Sequence, residues 1–271
     1  MEKRYNKPVG GERYGSFRHK EKPADKIEMI FGLRPITEAL LAGKTLERIY
    51  LQKGIRNSMV LDITEMAKTA GIPVSTVPME KLDSLTRKNH QGAVAYISAI
   101  TYLPLSEIVQ SLFEKGIDPL VLILDRITDV RNFGAIARNA ECMGVHAIVI
   151  PSHGAAQVNG DALKTSAGAL NVIPVCREPN LKDTIRFLQQ SGIQIVSCTE
   201  KAEQSLTDNI DFKIPTAIIM GSEEDGISPE YLKKSDVKVK IPIVGQISSL
   251  NVSVASGIIL FEALRQRLPK A

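Results

Sequence analysis

The spacing of hydrophobic residues predicts a small mixed unit in the first third of the chain. Between residues 27 and 99, apolar positions recur at helical spacing in two segments and form short strand-like runs in three others. The pattern predicts helices at 35–43 and 57–71 and strands at 48–52, 73–78 and 93–98. Because helices and strands are interleaved, we predict a small N-terminal α/β domain over residues 27–99.

Longer apolar runs dominate the chain from residue 118 onward. They cover 118–125, 145–151, 193–198 and 216–221, with helical segments between them at 133–143, 180–191 and 228–235. Continuously apolar strands are typical of a parallel sheet that is covered on both faces. We therefore predict a Rossmann-like, doubly wound parallel sheet in a domain over 118–271. Its chemistry is expected at the carboxyl ends of strands, after Asp125, Cys198, Gly221 and Ile243.

Two segments lie outside these domains. Residues 100–117 contain one amphipathic helix between Pro104 and Gly116, and we interpret them as a linker. Residues 1–26 carry eight Lys or Arg and four acidic residues, a net charge of +4 that equals the net charge of the whole chain. We predict that they form a disordered basic tail, which suits binding to RNA phosphates and solubility about equally.

Composition narrows the class of protein. The chain has 271 residues, 44% hydrophobic and 24% charged, which is typical of globular proteins of about two domains. Its apolar runs are too short to cross a bilayer and its N-terminus resembles no secretory signal, so we expect a cytoplasmic protein without membrane contact. The three cysteines lack paired spacing and are expected to be buried, reduced thiols, and no metal site is expected. No GxGxxG motif follows a predicted strand, which removes support for a nicotinamide dehydrogenase.

Polar residues cluster directly after the predicted strands of the second domain. The clusters are DVRNFGAIARNAECMGV (129–145), IMGSEEDGISPE (219–230) and IPIVGQISSLNVSVASGIILFEALRQ (241–266). In order and spacing they resemble the three motifs of the SpoU/TrmH class of SPOUT RNA 2′-O-methyltransferases. FGLRPITEALLAG (31–43) and HQGAVA (90–95) resemble the substrate-binding domain of the branch that methylates a guanosine in 23S ribosomal RNA.

The resemblance implies a fold and a cofactor that the hydrophobic pattern alone does not predict. It implies that the C-terminal sheet is tied in a deep trefoil knot and that S-adenosylmethionine binds there, without a metal. It also implies a homodimer, because in the family the first-motif helix and the last helix form the subunit interface. The last helix here is predicted to begin at Ser249, as its N-cap, and to reach about Arg267.

The same resemblance assigns roles to individual residues. Residues matching the catalytic positions are Asn132, Arg138, Glu223, Ser249 and Asn251. Residues matching the positions that bind the adenosyl group, mainly through the main chain, are Thr199, Gly221, Ile241 and Leu250. Arginine is a reluctant base, since its pKa lies above about 12, so we expect Arg138 to orient the target phosphate. Glu224 and Asp225 depart from the family pattern, which more often has Gly directly after the motif-two Glu.

The expected function is S-adenosylmethionine-dependent 2′-O-methylation of a ribose, that of a guanosine, in 23S ribosomal RNA. A tRNA ribose methyltransferase is the alternative, because the three motifs are common to both. A non-catalytic RNA-binding protein on the same scaffold is a further alternative. It would be expected to lack some of the four residues Asn132, Arg138, Glu223 and Asn251, all of which are present.

Overall fold

Eleven strands and nine α-helices make up residues 28–269, which are the residues that the computed structural model describes. The basic tail at 1–26 lies outside them. The strands are β1 (Met29–Phe31), β2 (Leu46–Gln52), β3 (Val74–Val77), β4 (Ala93–Ile97), β5 (Leu120–Asp125), β6 (Ala147–Pro151), β7 (Val175–Glu178), β8 (Gln194–Cys198), β9 (Gln204–Ser205), β10 (Thr216–Gly221) and β11 (Val237–Lys240). The helices are α1 (Leu33–Leu41), α2 (Ser58–Thr69), α3 (Met79–Leu85), α4 (Leu105–Glu114), α5 (Val130–Cys142), α6 (Gly160–Thr165), α7 (Leu181–Gln190), α8 (Pro229–Leu232) and α9 (Val252–Arg267), with a short 3₁₀ turn at Ala169–Asn171.

The N-terminal strands form a four-stranded mixed sheet in the order β1-β4-β2-β3. Only the β2–β3 pair is parallel, and the others are antiparallel. Ile36 of α1 and Ile63 of α2 are buried in one core with Leu46 and Ile49 of β2. The predicted elements of this domain are present with shifted ends. The sequence pattern missed β1 and α3, which are too short to show a periodicity.

The C-terminal strands form a seven-stranded sheet in the order β7-β6-β5-β10-β8-β11-β9, with parallel pairing throughout. The predicted parallel sheet with a small N-terminal α/β domain is therefore confirmed. The apolar run that forms β5 is continuous because a separate core packs on each face of this strand. Leu122 and Leu124 face the core shared with α5 and α9, whereas Val121 and Ile123 face the core shared with α4 and α7.

The strand order brings four chain segments to one edge of this sheet. Strand β10 lies between β5 and β8, and its register pairs Gly221 with Asp125. Because the strands are parallel, the residues that follow β5, β8, β10 and β11 all leave the sheet on the same side. The knot expected from the family resemblance stays a prediction.

Residues 100–117, interpreted from sequence as a linker, contain α4, which packs against the C-terminal sheet. Leu105 and Val109 of α4 are buried in the core that also contains Ile123. Just before α4, the Leu103 amide donates to the Val175 carbonyl oxygen over 3.0 Å. The domain boundaries themselves, at 27–99 and 118–271, stay a prediction.

Three buried or partly buried side chains, which we call the junction cluster, connect the two sheets: Glu47, Tyr102 and Arg177. The Tyr102 hydroxyl donates to Glu47 Oε2 over 2.6 Å, and the Arg177 guanidinium lies 4.1 Å from the Tyr102 ring centroid. Arg177 also donates to the carbonyl oxygens of Leu46 and Glu47, each over 3.1 Å. Burial raises the pKa of Tyr102 well above its usual value and lowers that of Arg177. The cluster therefore ties β2 of the small domain to β7 of the large one.

The last helix begins later than the sequence predicted. Helix α9 starts at Val252 with Asn251 as its N-cap, so the assignment of Ser249 as the cap is wrong. The Asn251 side chain accepts a hydrogen bond from the Ser253 amide over 2.9 Å, which satisfies one of the free N–H groups of the first turn. Residues 243–250 are exposed and precede the helix as an extended loop.

Candidate active site

A cleft of about 530 Å³ lies at the carboxyl ends of β8, β10 and β11. Three loops line it: the one after β8, the one after β10, and the one that joins β11 to α9. This is the edge of the sheet at which the sequence pattern predicted chemistry. All four residues that match the family's adenosyl-binding positions line the cleft: Thr199, Gly221, Ile241 and Leu250.

Three polar side chains meet beside this cleft, and we call them the amide–carboxylate cluster: Asn132, Glu223 and Asn251. Asn132 Nδ2 donates to Glu223 Oε1 over 3.0 Å, and Asn251 Nδ2 donates to the same oxygen over 2.6 Å. Asn251 Nδ2 also lies 3.0 Å from Asn132 Oδ1. These residues are up to 119 positions apart in the chain, and each comes from a different predicted motif. The structure therefore brings the three motifs together at one point.

Helix capping places both asparagines of the cluster. Asp129 caps α5 by accepting from the Asn132 amide over 2.7 Å, which puts Asn132 in the first turn. Asn251 caps α9 through its own Oδ1, so its Nδ2 is directed toward Asn132 and Glu223. One side chain thus starts a helix and completes the cluster.

Gly221 brings the chain unusually close to itself at the end of β10. A Cβ atom built on Gly221 would lie 2.1 Å from the carbonyl carbon of Gly226, so no larger residue fits there. The β10–β8 register ends at Ile219, whereas the β10–β5 register continues to Gly221. The last two residues of β10 therefore face the cleft without a strand partner on the β8 side.

Arg138 and Ser249, by contrast, are not part of the cluster. Arg138 is exposed, and its side chain makes no hydrogen bond or ion pair with any residue in the described range 28–269. Arg138 lies six residues after Asn132, and at about 100° per residue this spacing places it about 120° around α5 from Asn132. Ser249 lines the cleft as an exposed loop residue.

The structure reveals contacts of two further charged residues at this site: Asp125, which the sequence analysis named only as the end of a strand, and Arg126, which it did not name. Asp125 is only 2% exposed and accepts from the Ser228 amide over 2.6 Å. Arg126 donates to Asp225 over 2.9 Å and to the Gly226 carbonyl oxygen over 3.1 Å. Partial burial lowers the pKa of Arg126, but the hydrogen bonds and charges of Asp125 and Asp225 outweigh it, so its pKa is raised. The sequence signal that could have found these residues is a charged pair at the end of an apolar strand.

The cysteines differ from the expectation that all three are buried. Cys142 at the end of α5 is exposed, because it lies outside the stripe of α5 that contacts the core. Cys176 is buried, and Cys198 is partly buried beside the cleft. Burial, with a smaller contribution from nearby Glu178 and Glu200, raises the pKa of each of these two thiols to about 12.

We expect Cys176 and Cys198 to resist alkylation at pH 8, because the thiolate is the reactive form and both pKa values lie well above that pH. In a Cys142→Ser variant, a thiol-specific colorimetric reagent should label no thiol in the native protein. It should label two after unfolding in guanidinium chloride. Rapid labelling of either thiol in the folded variant would contradict this prediction.

Neither a membrane-spanning helix nor a metal-binding group is found in the described residues. Within 28–269, no helix is long and apolar enough to cross a bilayer. In the same range, no three His, Cys, Asp or Glu side chains are grouped so that they could hold a metal ion.

Comparison with known protein families decides the class to which this fold and site belong. The model of the SpoU rRNA methylase family matches residues 119–261, which include the first two motifs and most of the third. This chain belongs to the SpoU methylase family. A second family model, for the substrate-binding domain of RNA 2′-O ribose methyltransferases, matches residues 29–103. The protein is thus an RNA methyltransferase of the SpoU/TrmH class with both domains present.

Curated relatives within the SpoU family match nearly the whole chain. YacO of Bacillus subtilis, named as a TrmH family tRNA/rRNA methyltransferase, is 34% identical over 242 residues, which cover 89% of this chain and 97% of YacO. A Staphylococcus haemolyticus protein with the same family name is 36% identical over 241 residues and covers 88% of this chain and 96% of its own.

Solved structures of SpoU enzymes share the architecture. The SpoU methyltransferase AviRb from Streptomyces viridochromogenes, in complex with AdoMet, has a TM-score of 0.56 at 25% identity and covers 88% of this chain and 90% of its own. The AdoMet-bound rRNA methyltransferase from Sinorhizobium meliloti has a TM-score of 0.55 at 26% identity, with 89% and 88% covered. The A. aeolicus TrmH/SpoU tRNA modifying enzyme has a TM-score of 0.51 at 30% identity and covers 60% of this chain and 84% of its own.

Proposed function

We propose that the protein transfers a methyl group from S-adenosylmethionine to a ribose 2′-hydroxyl, that of a guanosine in 23S ribosomal RNA. The observation that carries this proposal is the meeting of Asn132, Glu223 and Asn251 beside a cleft at the end of a parallel sheet. The family and the AdoMet-bound relatives support the cofactor. The substrate-binding domain supports an RNA substrate.

The cleft fits S-adenosylmethionine in size and chemistry. Its volume lies within the range of small-molecule sites, and the side chains of Met220, Ile241 and Leu250 offer apolar contact to an adenine ring. The end of β10 and the loop before α9 offer main-chain polar groups to a ligand. In the loop, the backbone polar groups of residues 241–250 are available, because among the described residues no backbone hydrogen bond outside helices and strands involves them. Acidic side chains at Glu200, Glu223 and Glu224 complement a cationic ligand.

This chain's own residues hold and orient the reactants. S-adenosylmethionine held in the cleft would supply a methyl group on its sulfonium, which the ribose oxygen would accept to leave a neutral thioether. Two members of the cluster, Glu223 and Asn251, line the cleft, and the third, Asn132, fixes both through hydrogen bonds. Arg138 is free to bind the target phosphate, and the proton of the ribose hydroxyl leaves to solvent. Such positioning supplies much of the rate enhancement in reactions of this type.

A homodimer with its sites near the subunit boundary is part of this proposal. Helix α9 exposes Val254, Ile258 and Phe261 at helical spacing, with exposed fractions of 51%, 37% and 56%. A row of large apolar residues on one face is typical of a surface that a partner covers. Helix α5, which bears Arg138, packs beside α9 through a hydrogen bond from Asn139 to the Ser253 carbonyl oxygen. We also propose a cytoplasmic location, where these RNA substrates are found.

A tRNA substrate is the second candidate. The curated relatives carry names that cover both tRNA and rRNA, and the A. aeolicus enzyme is a tRNA modifying enzyme. That enzyme matches only 60% of this chain, whereas the relatives that match 88–89% include an rRNA methyltransferase. The presence of the substrate-binding domain therefore favours ribosomal RNA.

The test is methyl transfer from labelled S-adenosylmethionine to unmodified ribosomal RNA and, separately, to unmodified tRNA. We expect 2′-O-methylguanosine, identified by mass spectrometry of the nucleosides, in ribosomal RNA alone. An Asn132→Asp variant, which keeps the shape but loses the amide donor to Glu223, should be strongly impaired. Product in tRNA alone would overturn the substrate, and no product together with no cofactor binding would favour a non-catalytic RNA-binding protein.

A further inference from the structure

Arg126 has a backbone conformation that its residue type disfavours. Its φ angle is +58°, and in the described residues only two other non-glycine residues, Gln91 and Ala167, have positive φ. In this region the Cβ atom of an L-residue crowds the backbone, so a non-glycine residue persists there only when its surroundings hold it. A glycine would adopt the same conformation without strain. The side chain of Arg126 must therefore make contacts that offset this strain.

The side chain of Arg126 contacts the neighbouring Asp125 carboxylate and the turn that follows β10. Arg126 Nε lies 3.2 Å from Asp125 Oδ1, Nη1 lies 2.9 Å from Asp225 Oδ2, and Nη2 donates to the Gly226 carbonyl oxygen over 3.1 Å. Asp125 Oδ2 accepts from the Ser228 amide over 2.6 Å. The two residues at the end of β5 thus bind the chain on both sides of Gly226, about 100 positions away in the sequence.

The turn that they hold, residues 222–226, carries Glu223. It is closed by a hydrogen bond of 3.0 Å from the Gly226 amide to the Ser222 carbonyl oxygen and one of 3.2 Å from the Asp225 amide to Ser222 Oγ. It lies directly against the end of β10, because only the missing side chain of Gly221 leaves room for Gly226. Any shift of this turn would therefore move Glu223 relative to Asn132 and Asn251.

We propose that Arg126 is a positioning residue for methyl transfer, which holds the 222–226 turn so that Glu223 stays within hydrogen-bond distance of Asn132 and Asn251. The inference rests on the proposed function for its catalytic consequence. It also accounts for one of the two acidic residues after Glu223 that depart from the family pattern. Asp225 is the partner of Arg126, whereas Glu224 makes no hydrogen bond or ion pair in the described part of the chain.

The decisive variant is Arg126→Gly, which removes the contacts and the backbone strain together. A purely structural arginine would lower the unfolding midpoint when it is lost. If Arg126 is a positioning residue whose contacts are offset by backbone strain, its loss should leave the unfolding midpoint unchanged or raise it. The kcat at saturating RNA and cofactor should fall about 10- to 100-fold. The matched control is Arg186→Ala, which removes an exposed arginine paired with Asp183 on α7. The control should keep wild-type kcat.

A double-variant cycle tests the partner. Asp225 is 68% exposed on its side chain, so Asp225→Asn should fold normally and lower kcat. The kcat of the Arg126→Gly/Asp225→Asn variant should be no lower than that of Arg126→Gly alone, because Asp225 acts through its contact with Arg126. Additive losses, or wild-type kcat in Arg126→Gly or Asp225→Asn, would overturn the proposal. If Arg126→Gly failed to fold, the kcat of Asp225→Asn would decide the matter.

Hydrogen exchange separates this proposal from the proposed function. In Arg126→Gly, the Asp225 and Gly226 amides should exchange at least about tenfold faster than in the wild type, since they lose the contacts that hold the turn. Exchange elsewhere in the sheet should not change, and Arg186→Ala should match the wild type at the turn. Unchanged exchange at the turn would overturn the proposal. If exchange at the turn were faster in Arg126→Gly but the wild-type protein methylated no RNA, the conclusion that Arg126 holds the 222–226 turn would stand. Only the proposed function would be overturned.

Discussion

Arg138→Ala is expected to lower methyl transfer to RNA about 10²-fold while leaving the protein folded. Losing a side chain that positions a reactant costs about this much in rate, because a misplacement of about 1 Å is enough to slow the reaction to this extent. The fold should survive because Arg138 is exposed and has no hydrogen-bond partner in residues 28–269. Exposed substitutions of this kind usually change the free energy of unfolding by less than about 0.5 kcal/mol. Transfer of labelled methyl to RNA gives the rate, and thermal unfolding with size-exclusion chromatography gives the folded and oligomeric state.

Two further variants sharpen this result. Arg138→Lys keeps the charge but not the planar fork that contacts a phosphate at two points, so it should recover only part of the activity. Arg186→Ala removes an exposed arginine from α7, on another part of the surface, and should be as active as the wild type. An Arg138→Ala protein with wild-type activity, or one that simply unfolds, would remove the case for a role of Arg138 in catalysis.

Arg177→Ala is expected to lower the free energy of unfolding by about 3–5 kcal/mol, the usual effect of removing one partner from a buried ion pair. The side chains of Arg177 and Glu47 are 5% and 10% exposed, and the closest charged atoms lie 3.7 Å apart. Without the arginine, the Glu47 carboxylate is buried, and among the described residues only the Tyr102 hydroxyl and the Val158 amide donate to it. Two backbone carbonyl groups of β2 also lose their partners. Urea unfolding followed by circular dichroism measures the change.

A conservative variant at the same cluster provides the control. Tyr102→Phe removes one hydrogen bond to Glu47 and keeps the ring under the guanidinium, so it should cost about 1.5–3 kcal/mol. Arg186→Ala, at an exposed pair, should cost less than about 1 kcal/mol. If Arg177→Ala cost no more than Arg186→Ala, water would already solvate the junction cluster, and the prediction would be wrong.

Much of the fold could be predicted because the signals are local. The apolar run that ends at Asp125 indicates a strand covered on both faces, and the structure buries it completely. Strands β7 and β9 were missed, and β11 was anticipated only through the strand end expected at Ile243, because short and polar segments carry no periodicity. The start of α9 was predicted two residues early, because Ser249 and Asn251 are both good caps and only the contacts of Asn251 with Asn132 and Glu223 select between them.

The sequence alone determined which residue types stand at the ends of the strands, since the order of the three motifs is written along the chain. Only the tertiary structure decided which of them meet. Strand β10 lies between β5 and β8, and this places Glu223 beside Asn132 while Arg138 faces solvent. The positive φ of Arg126 and its contact with Asp225, 99 residues away, leave no local pattern. The same holds for Glu47 and Arg177, because such contacts depend on how sheets pack and not on the spacing of neighbouring residues.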